Sequence, residues 1–183
     1  MEKYKNKYRT QSARLQNWDY GWNGAYFITV CTKNREHYFG KIINGEMQLN
    51  ETGKIVETEW LKTFEIRVDM NLKMGEYVIM PNHFHAIIII GENKYNIQGR
   101  DAMHRVSTNT AKNKFGSQSK NLASIIRGFK SSVTTFVRKT ENLDFGWQPR
   151  FYDHIIRNEE LFYKISEYII NNPMNWENDK LYK

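Results

Sequence analysis

Residues 75–91 read GEYVIMPNHFHAIIIIG, and the other segments find their places relative to this stretch. Ala86 followed by four isoleucines, Ile87 to Ile90, is an apolar run with the composition of a buried β-strand. His83 and His85 stand one residue apart at its head. Side chains at i and i+2 leave a strand on the same face, so the two imidazoles project side by side. This presents two metal ligands in need of a third. Two ordinary histidines at a strand end would show the same spacing, so the choice between these readings falls to the rest of the chain. Pro81-Asn82 in front of them marks a tight turn, because proline cannot donate to a ladder. The segment therefore predicts a hairpin: a strand over Met74–Met80, a turn, then the histidine strand.

The chain has 183 residues, enough for one well-packed domain over 1–183, and carries a formal net charge of +7 with 14% aromatic residues. That balance suits a protein that tracks phosphates and stacks on bases, although basic surfaces also serve solubility. The single cysteine, Cys31, excludes an internal disulfide and a cysteine-based zinc cluster. No secretory signal and no apolar run long enough to span a bilayer is visible, so the expectation is a cytoplasmic protein with no membrane partner.

Residues 1–24 are basic and polar with Trp18, Tyr20 and Trp22 interleaved, an arm that packs by its aromatics. Tyr26–Thr32 reads as the first strand, and Asn44-Gly45 as the turn of a hairpin. Asn50 or Thr52 then caps a helix whose Ile55, Val56, Glu59, Trp60 and Phe64 recur at helical spacing. Residues 92–120 are polar without a period, a flexible insertion loop; His104 lies there and is not expected to be a ligand. Leu122–Lys139 predicts a second helix with Leu122, Ile125, Ile126, Phe129, Val133, Phe136 and Val137 as its apolar stripe and Arg127, Lys130 and Arg138 off it. Trp147–Ile156 reads as extended, with Arg150, Tyr152 and His154 on one side. Asn158 caps a third helix over Glu159–Asn172, and Pro173 ends it. This order points to an α+β domain with helices packed on one face of a mainly antiparallel sheet.

On the last helix Leu161, Lys164, Ile165, Tyr168 and Asn172 share a face, being three or four residues apart. With that face across the sheet near His83 and His85, Asn172 offers a carbonyl oxygen as third metal ligand and Tyr168 stands one turn away as a nucleophile. The plainer alternative makes Tyr168 a member of the apolar stripe and Asn172 an end-cap before Pro173.

Five separated segments, YFITVCTKNREHYFGKI, YVIMPNHFHAIIII, LASIIRGFKSS, WQPRFYDHIIRNEE and YIINNPMNW, closely resemble in order the IS200-like tyrosine transposases, in particular the REP-associated ones. The resemblance runs from about Arg14 to Trp176, with 92–120 departing in length and composition. It implies a ferredoxin-like, RRM-like sheet carrying an HUH endonuclease core, with His83-Phe84-His85 as the HUH motif. It further implies Tyr168 as nucleophile and Asn172 as third metal ligand. Tyr152 and Tyr163 compete less well, since four residues on they meet Ile156 and Glu167 rather than a neutral oxygen ligand. The implied activity is that of a DNA strand transferase. It cleaves and rejoins single-stranded, hairpin-flanked DNA by transesterification through a 5′-phosphotyrosine, with Mg²⁺ or Mn²⁺ as cofactor and Lys164 favouring the phenolate. Arg127, Lys130, Arg138, Arg150 and Arg157 are the candidate DNA phosphate contacts, and the aromatics of the arm candidate stacking partners. Two rivals are a non-catalytic nucleic-acid-binding module of RRM-like fold and a metal-dependent phosphohydrolase. A homodimer, with a site completed by a partner's helix, is left open.

Overall fold

A computed structural model describes residues 18–97, 119–140 and 144–182, together with the backbone of two short paired strands, β1 (Lys3–Tyr4) and β2 (Lys7–Tyr8). The central sheet holds four strands: β3 (Gly24–Cys31), β6 (Leu72–Met80), β7 (His83–Ile90) and β8 (Tyr152–Ile156). They lie in the order β6-β7-β3-β8, and each neighbouring pair is antiparallel. A small hairpin, β4 (Gly40–Ile43) with β5 (Glu46–Leu49), precedes the helix α1 (Glu51–Ile66). Asn44 and Gly45 turn it at φ of 52° and 78°, the left-handed conformations that a two-residue hairpin turn requires. The helices α2 (Leu122–Lys139) and α3 (Glu159–Ile170) complete the fold. Setting the small hairpin aside, β3-α1-β6-β7-α2-β8 is the β-α-β-β-α-β order of a ferredoxin-like sheet, as expected.

The predicted β6–β7 hairpin forms with Met80 opposite His83, so Pro81 and Asn82 make the two-residue turn. Strand alternation then divides β7 between two faces. Phe84, Ala86, Ile88 and Ile90 join Tyr26, Ile28 and Val30 beneath Val56 and Trp60 of α1 and Ile125, Phe129, Val133 and Val137 of α2. Ile87 joins Phe27 and Ile156 on the opposite face, under Ile169 with Leu161 and Ile165 of α3. The helices thus do not all share one face, as the sequence had suggested: α1 and α2 do, and α3 covers the other. An apolar run with no polar alternation, such as Ala86–Ile90, has to be covered on both sides, each fully buried isoleucine contributing about 1.5–3 kcal/mol.

Asn50, rather than Thr52, caps α1, its side chain accepting from Gly53 N at 2.9 Å. Glu59, buried in the α1 stripe, is satisfied by Lys62 at 2.9 Å and by the Ser132 hydroxyl. The bounds of α2 match the sequence reading, with a capping box between Asn121 and Ser124. Phe136 departs from the predicted stripe. It is exposed, with Lys62 and Lys139 over its ring at 5.2 and 5.4 Å. Of the extended 147–156 segment only Tyr152–Ile156 is strand, and Trp147 makes a single bridge to Thr32. Pro149 between them lacks the N–H that a ladder needs. Helix α3 stops at Ile170, short of the predicted Asn172, because the residue before a proline is pushed out of the helical region. No helix among the described residues is long and apolar enough to cross a membrane.

Trp18 and Tyr20, from the predicted arm, are half-buried and pack against the core. Residues 9–17 of that arm, and His104 with most of the 92–120 segment, lie outside the described residues. Trp18 Nε1 donates to the Tyr26 hydroxyl at 3.2 Å, and that hydroxyl donates to Trp22 O at 3.0 Å. Burial pushes the Tyr26 phenol from 10.0 up to about 12. The folded state therefore holds the proton more tightly than the unfolded chain. This contribution is complete below pH 10 and is lost as pH rises through 12. Tyr26→Phe should cost about 1–2 kcal/mol in denaturant melts at neutral pH and should lessen the alkaline loss of stability. Unchanged neutral stability would show that the two hydrogen bonds contribute nothing net.

Candidate active site

His83 and His85 are both buried at the head of β7, their ring centroids 4.5 Å apart. A hydrogen bond on Nδ1 orients each ring. His83 Nδ1 lies 2.8 Å from Asn82 Oδ1, and His85 Nδ1 lies 2.8 Å from Oγ1 of Thr29, its register partner on β3. Both Nε2 atoms are thereby left for the site. His85 Nε2 is 3.1 Å from the Tyr168 hydroxyl. His83 Nε2 and Asn172 Oδ1 are buried and have no hydrogen-bond partner. Each such atom costs about 1–3 kcal/mol if nothing compensates it, and here two electron-pair donors are left over in one small volume.

Asp179 completes the group. Its Oδ2 accepts from the Tyr168 hydroxyl at 3.2 Å and from Asn172 Nδ2 at 2.9 Å, and its Oδ1 accepts from Leu181 N at 2.6 Å. The ligating atoms of His83, His85 and Asp179 lie within 4.8 Å of one another. Two imidazoles, an amide carbonyl and a carboxylate, with two of these donors unpartnered, fit a divalent cation. Asp179 was not foreseen from the sequence. It lies in an Asn-rich tail beyond Pro173 with no period, and it is brought back by Trp176, whose ring packs 5.9 Å from His83 and 5.8 Å from His37.

The electrostatics favour a ligand role for the histidines. Burial first, and the neighbouring His85 second, hold the His83 imidazole well below 6.5, and burial brings His85 down to about 4. Both rings are neutral near pH 7, as ligation requires. Burial opposes ionisation of Asp179, but the Leu181 N–H, the Asn172 amide and the imidazoles outweigh it and lower its pKa. Burial and then Asp179 raise the Tyr168 phenol to about 12.

Among the described residues, then, His83, His85, Tyr168 and Asn172 converge within one chain. Asn172 reaches the site from the turn after α3 rather than from the helix itself. Tyr168 is 45% exposed and lines an open cavity of about 320 Å³ with Lys164, Asn172 and Asp179. Lys164 bonds Glu160 at 2.6 Å. Tyr152 shares the histidine face, its ring 6.3 Å from Phe27, which in turn stacks 5.2 Å from His85. Tyr163 is 67% exposed and sits edge-on to Phe162.

No family model matches the chain. An uncharacterized protein of Haemophilus influenzae is 42% identical over 176 residues, covering 94% of this chain and 92% of that one. The chain belongs to one family with that protein. Among solved structures, a REP-associated tyrosine transposase bound to a REP hairpin superposes with a TM-score of 0.59 at 19% identity, over 94% of this chain and 77% of that one. This is a tyrosine-transposase fold. In this tyrosine-transposase fold Arg127, Lys130 and Arg138 line a groove beside α2, together with Lys33 and Trp147. Arg150 and Arg157 are exposed elsewhere, Arg157 directly after β8.

In the metal-free protein, His85 should make stability depend on acid. The fold favours its neutral ring, with a pKa of about 4 against 6.5, so that stability is full above pH 6.5 and is lost as pH falls through 4. The loss should be on the order of 3 kcal/mol. His85→Gln should flatten that part of the profile in urea melts, whereas an unchanged slope would mean that another group controls it.

Proposed function

We propose that this protein cleaves and rejoins single-stranded DNA next to a hairpin, using Tyr168 as nucleophile and passing through a 5′-phosphotyrosine. The observation that carries the reading is the Tyr168 hydroxyl, 3.1 Å from His85 Nε2, beside two buried and unpartnered donors, His83 Nε2 and Asn172 Oδ1. A packing tyrosine and an end-cap would leave those donors unexplained. The substrate class follows the structural relative, which is bound to a REP hairpin.

His83, His85 and Asn172 would hold the cation, Mg²⁺ or Mn²⁺, and Asp179 would balance its charge. Bound there, the ion would supply Lewis-acid polarisation of the scissile phosphate, and of the two ions imidazole ligands favour Mn²⁺ over Mg²⁺. Thr29 and Asn82 keep the rings turned so that Nε2 faces the site. With a pKa of about 12 the phenol enters the reaction protonated, and Asp179 Oδ2, already its hydrogen-bond acceptor, takes the proton. The Tyr168 oxygen then bonds to phosphorus while the bond from phosphorus to the 3′ oxygen breaks. That oxygen leaves as a hydroxyl carrying the proton. The reverse sequence rejoins strands without water. Lys164, on the cavity wall and paired with Glu160, would contact a phosphate beside Tyr168 and favour the phenolate.

Incubation with Mn²⁺ and end-labelled hairpin DNA carrying an unpaired flank should give a covalent adduct that retains the label of the downstream fragment only. Tyr168→Phe keeps the ring and deletes the oxygen, so adduct formation should fall by more than about 10³-fold while hairpin binding persists. Tyr152→Phe and Tyr163→Phe should still form adduct. Cleavage without any adduct would support a phosphohydrolase instead, and adduct surviving in Tyr168→Phe would place the nucleophile elsewhere.

A further inference from the structure

The open cavity of about 320 Å³ beside Tyr168 is walled largely by amides. Asn171 caps the C-terminus of α3, Asn172 follows it, and Asn175 and Asn178 come from the tail. Asn172 is committed, its Nδ2 to Asp179 and its unpartnered Oδ1 to the cation proposed above. The Asn175 amide uses one N–H on Asn171 O, at 2.9 Å. The side chains of Asn171 and Asn178 are exposed and form no hydrogen bond among the described residues. The cavity therefore presents amide donors and acceptors that the fold itself does not use.

Its charge narrows what can enter. Glu167 stands in the last turn of α3, where the helix dipole disfavours an anion and no basic residue offsets it. Lys164, three residues earlier, pairs with Glu160 instead, and Glu167 has no ion-pair partner among the described residues. With Asp179, Glu167 gives the cavity two carboxylates against one shared lysine. A phosphate placed among them would be repelled. In the reading above the scissile phosphate is held by the cation and Lys164, so the rest of the cavity calls for a neutral occupant that brings hydrogen-bond donors of its own.

A nucleobase turned out of a single strand meets that description. Amides and carboxylates read base edges, an asparagine pairing bidentately with adenine and a carboxylate accepting from the cytosine amino group. The volume lies at the lower end of the ~300–1,000 Å³ typical of small-ligand sites, which suits one base. Glu167 can only accept, and this makes the cavity selective: adenine and cytosine carry an amino group where thymine carries the acceptor O4. We infer that the cavity receives the unpaired base beside the scissile phosphate and, through Glu167 and the Asn171 amide, selects adenine or cytosine over thymine. This rests on the strand-transfer reading above, which places the phosphate at Tyr168.

The test measures binding to three labelled hairpins that share a stem and differ in an unpaired flank of dA, dC or dT, with Mn²⁺ present and in the full chain carrying Tyr168→Phe, so that nothing is cut. The dA and dC flanks should bind about tenfold more tightly than dT. Adding Glu167→Gln, which offers an N–H to the thymine O4, should narrow the ratio to within about threefold, and Asn171→Ala should lower it too. Both positions are exposed, and the last turn of a helix tolerates glutamine better than glutamate, so the variants should fold. Because the ratio compares flanks within one protein, a general gain in DNA affinity from the lost negative charge cancels. Equal affinity for the three flanks before these changes, or a ratio that neither change lowers, would overturn the inference. A ratio that responds as expected while the wild-type chain forms no adduct would refute the chemistry proposed for Tyr168 and leave the cavity standing; adduct formed with no preference among the flanks would do the reverse.

Discussion

A two-residue turn decides which side of the sheet every side chain of β7 meets. With Met80 opposite His83, the even positions enter the core under α1 and α2 and the odd positions face α3. A slip of one residue would drive both histidines into that core and turn Phe84 out onto the face of the candidate site. The turn is correspondingly well held. The Asn82 carbonyl accepts from both the backbone and the hydroxyl of Thr32, at 2.9 Å each, and its side chain bonds Leu181 O at 2.9 Å. The same Asn82 side chain fixes the His83 ring, so one residue sets both strand register and imidazole orientation.

Much of this was legible in the primary structure because it depends on short-range rules. The Pro81-Asn82 turn, the i, i+2 histidines and most of the α2 stripe each follow from spacing alone, and α2 begins and ends where its periodicity places it. The placement of α3 followed a different logic. Its stripe shows that it must be covered but not by which face of the sheet, and that information sat in the uninterrupted apolar character of Ala86–Ile90. Asp179 was beyond reach for a further reason: it enters the site through a non-periodic tail held by Trp176 and by the Asn82 bond to Leu181 O, long-range contacts with no local signature.

The polar interior of the site and the apolar interior beneath it are built on different terms. In the core, Trp60, Phe84 and Phe129 meet at centroid distances of 4.9–5.4 Å. The core leaves the Trp60 Nε1 donor unmatched, whereas on the opposite side of the sheet two lone-pair atoms, His83 Nε2 and Asn172 Oδ1, are left unmatched together, an expense tolerated where a cation is to be received. On the α3 side, Phe27 links the apolar cluster to the site, packing with Ile87 and Ile169 and stacking against His85.

The positions that meet at the site lie far apart along the chain, Tyr168 and His85 being separated by 83 residues. During synthesis the β6–β7 hairpin, with both histidines, emerges and can fold while the helix bearing the phenol has yet to be translated. A chain interrupted at that stage would carry both imidazoles but not Asn172, Asp179 or Tyr168, the nucleophile proposed above. Under the function proposed above, the order of the polypeptide acts as a safeguard in time: an unfinished protein would lack the group that breaks a strand.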